Sequence, residues 1–212
     1  SFSTLFGESD QSGTIPTWAE GRWPQTSALQ FDRFKKQRIR VVDHPRLRIA
    51  GPITIAAWVK LLDTGDAQGG LLLSNRTLNH INYQLVLGKR PSHGKMMLAF
   101  GRYAKHLDPK VHSELFEMKP QTWYHIAVTH DNSLVQFYIN GKPLSSVIYP
   151  FKQDPVEADL YIGFTPISQS AGFHGMLDEL FLFDRALSNQ EILYMYSQTK
   201  TDIDTILKGR KQ

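Results

Sequence analysis

The feature that most constrains this chain is hydrophobic alternation with a period of two, cut into short runs by Gly, Pro, Asn and Asp. Successive side chains of an extended strand point to opposite faces, so each such run has a dry side and a wet side. Residues 52–61 (PITIAAWVKL) put Ile53, Ile55, Ala57 and Val59 on one face and Trp58 and Lys60 on the other. Ile39 and Val41 alternate with Arg38 and Arg40, a strand dry on one side and basic on the other. In 123–130, Tyr124, Ile126 and Val128 oppose Trp123, His125 and Thr129, and the next run supplies Val135, Phe137 and Ile139 as a facing set. Further runs at 27–32, 70–75, 83–88, 95–101, 112–118, 134–140, 144–149, 159–164 and 176–183 bring the total to about a dozen strands. Short strands at this spacing leave no room for crossover helices. The pattern predicts an all-β, two-sheet antiparallel sandwich and excludes a parallel α/β sheet.

Local signals agree. Asn140-Gly141 between two β-rich runs is a hairpin turn, and Pro143 just after it places the second arm at a sheet edge or on a bulge. One short C-terminal helix is predicted over 189–198. Ser188 and Glu191 form its capping box, and Ile192, Leu193 and Tyr196 supply an apolar stripe. A chain of 212 residues suits one domain. The predicted division is an N-terminal arm over 1–24, a sandwich domain over 25–200 and a polar tail over 201–212, with Trp18 and Trp23 folding back onto the body.

Composition removes several function classes. The chain has no cysteine, which excludes disulfide frameworks, thiolate metal sites and cysteine nucleophiles together. It contains no apolar run long enough for a membrane helix. The opening Ser-Phe-Ser-Thr, without Met or an apolar leader, reads as a mature or excised piece of something longer. Net charge is +4, with Arg33, Lys35, Lys36, Arg38, Arg40, Arg46 and Arg48 grouped against Asp43 alone. That grouping reads as a solvated surface. It lacks interleaved exposed aromatics, so no nucleic-acid partner is expected.

In order, the segments SALQFD (27–32), RIRVVDHPRLRI (38–49), ITIAAWVK (53–60), TWYHIAVTHD (122–131), VQFYINGKPL (135–144), LYIGF (160–164) and HGMLDELFLFDRALSNQEILYMY (174–196) resemble a laminin G-like domain. The likeness is to the bacterial type within the concanavalin A-like lectin/glucanase group, and the opening also resembles versions attached to FecR-like regulators. This resemblance implies a jelly-roll-like sandwich and a mostly non-catalytic module that binds glycans or proteins. It also implies an extracytoplasmic setting within a larger protein, membrane contact coming only through the rest of that protein. Relatives of this fold often carry structural calcium, for which Asp178 and Asp32 would be the ligands here.

The residues themselves argue against catalysis. Glycan cleavage needs two carboxylates on one face, at i and i+2 or i+4 along a strand. Asp178 and Glu179 are adjacent, and Glu114 and Glu117 have opposite parity. Nucleophile-elbow, Walker, dinucleotide-loop and His-Glu-x-x-His patterns are absent, and His125 and His130 have opposite parity, so no enzyme is expected. Asp178 shares parity with Leu180 and Leu182, which turns it inward to cap backbone amides or pair with Arg185. Two acids fall well short of calcium's six to eight oxygens, so no cofactor or metal is expected. Trp58 faces away from the Ile53–Ile55 side, as a binding face or as packing beneath a loop. For ligand contact, the loop read over 102–111 offers Arg102, Tyr103, Lys105 and His106, an aromatic beside cationic groups suited to a carboxylated or sulfated glycan. The expected partner is a polysaccharide or glycoconjugate, preferably acidic; a protein partner or a spacer role is the alternative.

Overall fold

Two antiparallel sheets stacked face to face make up the protein, as the alternation predicts. The computed structural model describes residues 15–62, 69–90, 94–104, 110–152, 154–167 and 172–198. The first half of the chain contributes β1 (Thr17–Glu20), β2 (Ser27–Phe31), β3 (Ile39–Val41), β4 (Ile53–Leu61), β5 (Gly69–Arg76) and β6 (His80–Arg90). Then come β7 (Lys95–Ala104), β8 (Val111–His112), β9 (Trp123–His130), β10 (Leu134–Ile139) and β11 (Lys142–Ile148). The chain closes with β12 (Leu160–Ile162), β13 (Gly175–Phe183) and α1 (Asn189–Ser197). One sheet has seven strands in the order β1-β2-β13-β4-β9-β10-β11; the other has six, β3-β12-β5-β6-β7-β8.

The core lies between the sheets and is built from the faces that the sequence pattern assigns. Ile53, Ile55, Ala57 and Val59 of β4, Ile126 and Val128 of β9, and Val135 and Phe137 of β10 meet Tyr83, Leu85 and Leu87 of β6 and Leu98 and Phe100 of β7. Each fully buried large side chain contributes roughly 1.5–3 kcal/mol, which makes this interface the main source of stability. A second, smaller cluster of Ala56, Ala127, Tyr138, Leu187 and Ile192 lies on the other face of β4, β9 and β10, where α1 packs. The capping box forms as expected, Ser188 Oγ accepting from Glu191 N and Glu191 accepting from Ser188 N. The helix turns Ile192, Met195 and Tyr196 toward the body, but Leu193 is 49% exposed. The i, i+3, i+4 stripe thus starts at Ile192 and leaves Leu193 off it.

Three local departures have clear causes. The run at 112–118 yields only the two-residue β8 and a single bridge from Phe116 to Met96. Ser113 Oγ accepts from Leu98 N, taking a place a backbone carbonyl would fill, and the ladder stops there. On β13 the register slips between Asp178 and Phe181 by one extra residue, with Glu179 at φ 47°. That bulge reverses the parity expected for Asp178. Asp178 lies opposite Trp58, on the helix-bearing face, while Leu180 and Leu182 pack against the core. Finally, residues 17–24 are part of the sandwich and not a loose arm. β1 is the sheet edge beside β2, and Arg22 lies over the rings of both Trp23 and Trp58, at 4.2 and 4.0 Å. Trp23 folds back as expected; Trp18 is 62% exposed and does not.

The β10–β11 hairpin turns through Asn140 (φ 49°) and Gly141 (φ 74°), the two left-handed residues a type I′ turn requires. Pro143 sits on the edge strand, beside a register shift, as its missing N–H demands. A Cβ on Gly141 would lie 2.8 Å from Tyr196 Cβ, so the turn also seats the helix. Gly141→Ala is expected to lose roughly 2 kcal/mol, from left-handed strain plus displacement of Tyr196. Urea unfolding would measure it, and an unchanged midpoint would contradict the packing of the turn against the helix.

Candidate functional site

The outer face of the six-stranded sheet carries a concavity of about 350 Å³. Its shape follows from alternation and register. Because Tyr83, Leu85 and Leu87 point into the core, Gln84, Val86 and Gly88 must point out. On β7 the same logic turns Met97, Ala99, Gly101 and Tyr103 to the outer face, and pairing sets Gln84 against Gly101, Val86 against Ala99 and Gly88 against Met97. Small residues therefore occupy the middle. A Cβ on Gly101 would come within 3.1 Å of Lys110 Cγ and 3.4 Å of Gln84 Nε2, so even a methyl group would crowd this floor. Arg76 from the end of β5, Tyr103, Lys110 and His112 form the walls.

Among the described residues, Gln84 and Ser74 of this face have side-chain atoms without partners. Gln84 is 3% exposed, and its Nε2 has no hydrogen-bond partner among the described residues. Ser74, directly across on β5 and fully buried, has an equally unpartnered Oγ. An unmet buried polar group costs about 1–3 kcal/mol, which a hydroxyl-rich ligand would recover. Among the described residues, the lining contains three basic-type side chains, Arg76, Lys110 and His112, and no Asp or Glu.

Of the residues singled out from sequence, Tyr103 reaches this site. Arg102 does not. It lies on β7, not in a loop, is 1% exposed, and points inward. Its Nε donates to Asn82 O at 2.9 Å, one Nη to Gly51 O at 2.8 Å and the other to Ile49 O. With each of its three nitrogens donating to a main-chain carbonyl, the guanidinium is held inside the sandwich and does not reach the concavity. Lys105 and His106 lie outside the described residues. Arg76, Gln84, Lys110 and His112 went unnoticed because they come from separate strands or from the approach to one. The available signal was the parity of β6 and β7, which puts a glutamine and three small residues on one outer face.

Other candidates are structural. Trp58 stacks on Tyr196 at 5.5 Å beneath α1 and Arg22, so it is packing rather than a binding face. Asp178 accepts from Arg22 N at 3.0 Å and from Glu179 N, while Glu179 pairs with the Arg22 guanidinium at 3.0 Å. Burial raises the Glu179 carboxyl, partly offset by Arg22. Asp178 thus caps backbone amides, as one sequence expectation had it, and Arg185 pairs instead with Glu191 at 2.7 Å. Asp32 caps a short 3-10 turn through Phe34 N, 2.9 Å away. Among the described residues, no three His, Asp or Glu side chains group as a metal site.

A laminin G family model, described as the concanavalin A-like lectin/glucanases superfamily, matches residues 35–193. The adhesion G-protein coupled receptor V1 of Danio rerio is 21% identical over 164 residues, 75% of this chain but 3% of the receptor. Domain 4 of AbnA, a GH43 extracellular arabinanase of Geobacillus stearothermophilus in complex with arabinotriose, superposes with a TM-score of 0.66 at 23% identity. That match covers 89% of this chain and 84% of the domain. A botulinum neurotoxin type C structure, from a toxin whose cell entry depends on two ganglioside molecules, gives 0.54 at 11% identity, covering 75% of this chain and 39% of the other. At these identities the likenesses establish a shared sandwich.

Two predictions concern buried groups of the sandwich. Arg102→Leu leaves three buried carbonyls unpaired and is expected to lose at least about 3 kcal/mol; denaturant unfolding near that of the native chain would refute the hub. The second concerns His125, which lies buried between Trp58, Tyr196 and Arg22. Burial, reinforced by Arg22, pushes its imidazole down to about 4. An unfolded histidine takes up its proton near 6.5, so between those values the unfolded chain binds more protons and stability falls as pH drops. The expected loss from pH 7 to 4 is about 3 kcal/mol. Melts at stepped pH would show a slope that His125→Gln flattens; the same slope in the variant would assign it elsewhere.

Proposed function

The chain belongs to the concanavalin A-like lectin/glucanases superfamily, and from that premise we propose that it is a non-catalytic carbohydrate-recognition domain binding at the concavity of the six-stranded sheet. The observation that carries this is Gln84 Nε2, a buried donor without a partner among the described residues, within a small-floored depression that also presents the ring of Tyr103. Sugars offer an apolar ring face for stacking and hydroxyls for hydrogen bonds, and this lining supplies both counterparts. The arabinanase domain bound to arabinotriose and the ganglioside-dependent toxin lend the same support.

The non-catalytic part of the proposal rests on the carboxylates. Asp178 and Glu179 lie on the opposite sheet and are held by Arg22, and among the described residues no acid lines the concavity. Glycan cleavage by the usual route needs two carboxyls facing each other across the bound sugar. The proposal also includes an extracytoplasmic setting within a larger protein, in keeping with the extracellular arabinanase and the adhesion receptor. Among the described residues no helix is long and apolar enough to cross a membrane.

A glycan array followed by titration calorimetry tests the proposal. Tyr103→Ala and Gln84→Ala are each expected to weaken binding by about tenfold or more, with melting temperatures near that of the native chain. An array without any hit, or a hit insensitive to both variants, would remove the site. Specific capture of a protein in place of a sugar would move the function to adhesion.

A further inference from the structure

We infer that the ligand of this concavity is an acidic glycan whose sugars carry carboxylates, with Arg76 as the principal anion contact and Gln84 as a hydroxyl contact. The inference rests on the carbohydrate reading of the site and narrows it to a chemical class.

Arg76 is the informative residue. It is 8% exposed and lines the concavity, yet among the described residues no carboxylate pairs with it. Its Nε donates to Thr77 O at 3.2 Å, and its backbone N–H is tied to Asp159 O, so the side chain leaves a fixed point at the end of β5. A desolvated charge held in place without a counter-ion is costly, and an incoming carboxylate offsets that cost. Arginine also matches a carboxylate through parallel N–H donors, which a neutral sugar does not offer. Lys110 and His112 extend the basic wall, and among the described residues no acidic side chain lines the site.

The floor distinguishes this site from a general polyanion patch. Among the described residues, Gln84 Nε2 lacks an acceptor. A sugar hydroxyl answers it, since it accepts as well as donates. Val86, Met97 and Ala99 lie beside Gln84 as apolar contacts for C–H surfaces. The arrangement suits a carboxylated sugar lying flat on the sheet, acid group toward Arg76.

The test compares polymers that differ only in charge. Polygalacturonate, alginate and hyaluronate are titrated against the whole chain beside their methyl esters, with dextran sulfate, a neutral galactan and a single-stranded oligonucleotide as further arms. One uronan is expected to bind at least about tenfold more tightly than its ester, and to lose affinity as NaCl rises from about 50 to about 500 mM. Arg76→Gln is expected to abolish that preference and Arg76→Lys to restore part of it, each checked by thermal melting. Equal affinity for ester and acid would overturn the inference while leaving the carbohydrate site in place. Equal or tighter binding of dextran sulfate or the oligonucleotide would overturn it as plain polyanion attraction. Failure of every glycan would take the underlying site with it.

Discussion

The buried guanidinium of Arg102 ties one end of the sandwich together. It gathers the carbonyls of Ile49 and Gly51, on the approach to β4 in one sheet, and of Asn82, on β6 in the other. Around it a polar spine continues. Tyr149 accepts from Arg102 N and donates to Arg102 O, and its own carbonyl meets His130 Nε2 at 2.9 Å. Asn82 and Asn75 bind each other and the carbonyls of Val156 and Ala158. A hydrophobic interface is non-directional and tolerates sliding; fixed donors and acceptors do not. With Arg102 locked inward, alternation leaves Tyr103 only the outer face, and the register that sets Gly101 against Gln84 follows.

The two outer faces diverge because their residues differ. On the seven-stranded sheet, Ala56, Trp58, Ala127 and Tyr138 form an apolar surface that water would penalise, and α1 with the Arg22 strap covers it. On the six-stranded sheet the corresponding positions include Ser74, Gln84, Gly88, Ala99 and Gly101, small or polar, beside Val86 and Met97, and a depression remains. Covering one face and leaving the other open is therefore a consequence of composition along the strands.

Much of this was legible in the sequence. Faces of β4, β9 and β10, the Asn140-Gly141 turn, Pro143 at the edge and the Ser188–Glu191 box all rest on local rules, and local rules held. What escaped notice depends on groups distant in sequence. Arg102 reads as a loop residue because a charge seems out of place in a core strand, and its acceptors are 20 to 53 positions away. Asp178 was misplaced because one bulged residue reverses parity without altering composition. The Arg22 strap looked like a loose arm because its partners, Trp58 and Glu179, lie far downstream. Of the site, only Tyr103 carried its own signal.

Gln84 shows why such a site resists sequence reasoning. A glutamine within an alternating strand is unexceptional on a solvated face, where water satisfies its amide. Here it is buried beside Ser74 by the ladder, and its unpartnered nitrogen lowers stability by about 1–3 kcal/mol. Replacing it with an apolar residue of similar volume would remove that cost, so stability alone gives no reason for an amide at this position. A ligand that completes the hydrogen bonds does, and the polar spine around Arg102 holds the β-ladder so that the amide faces outward without drifting.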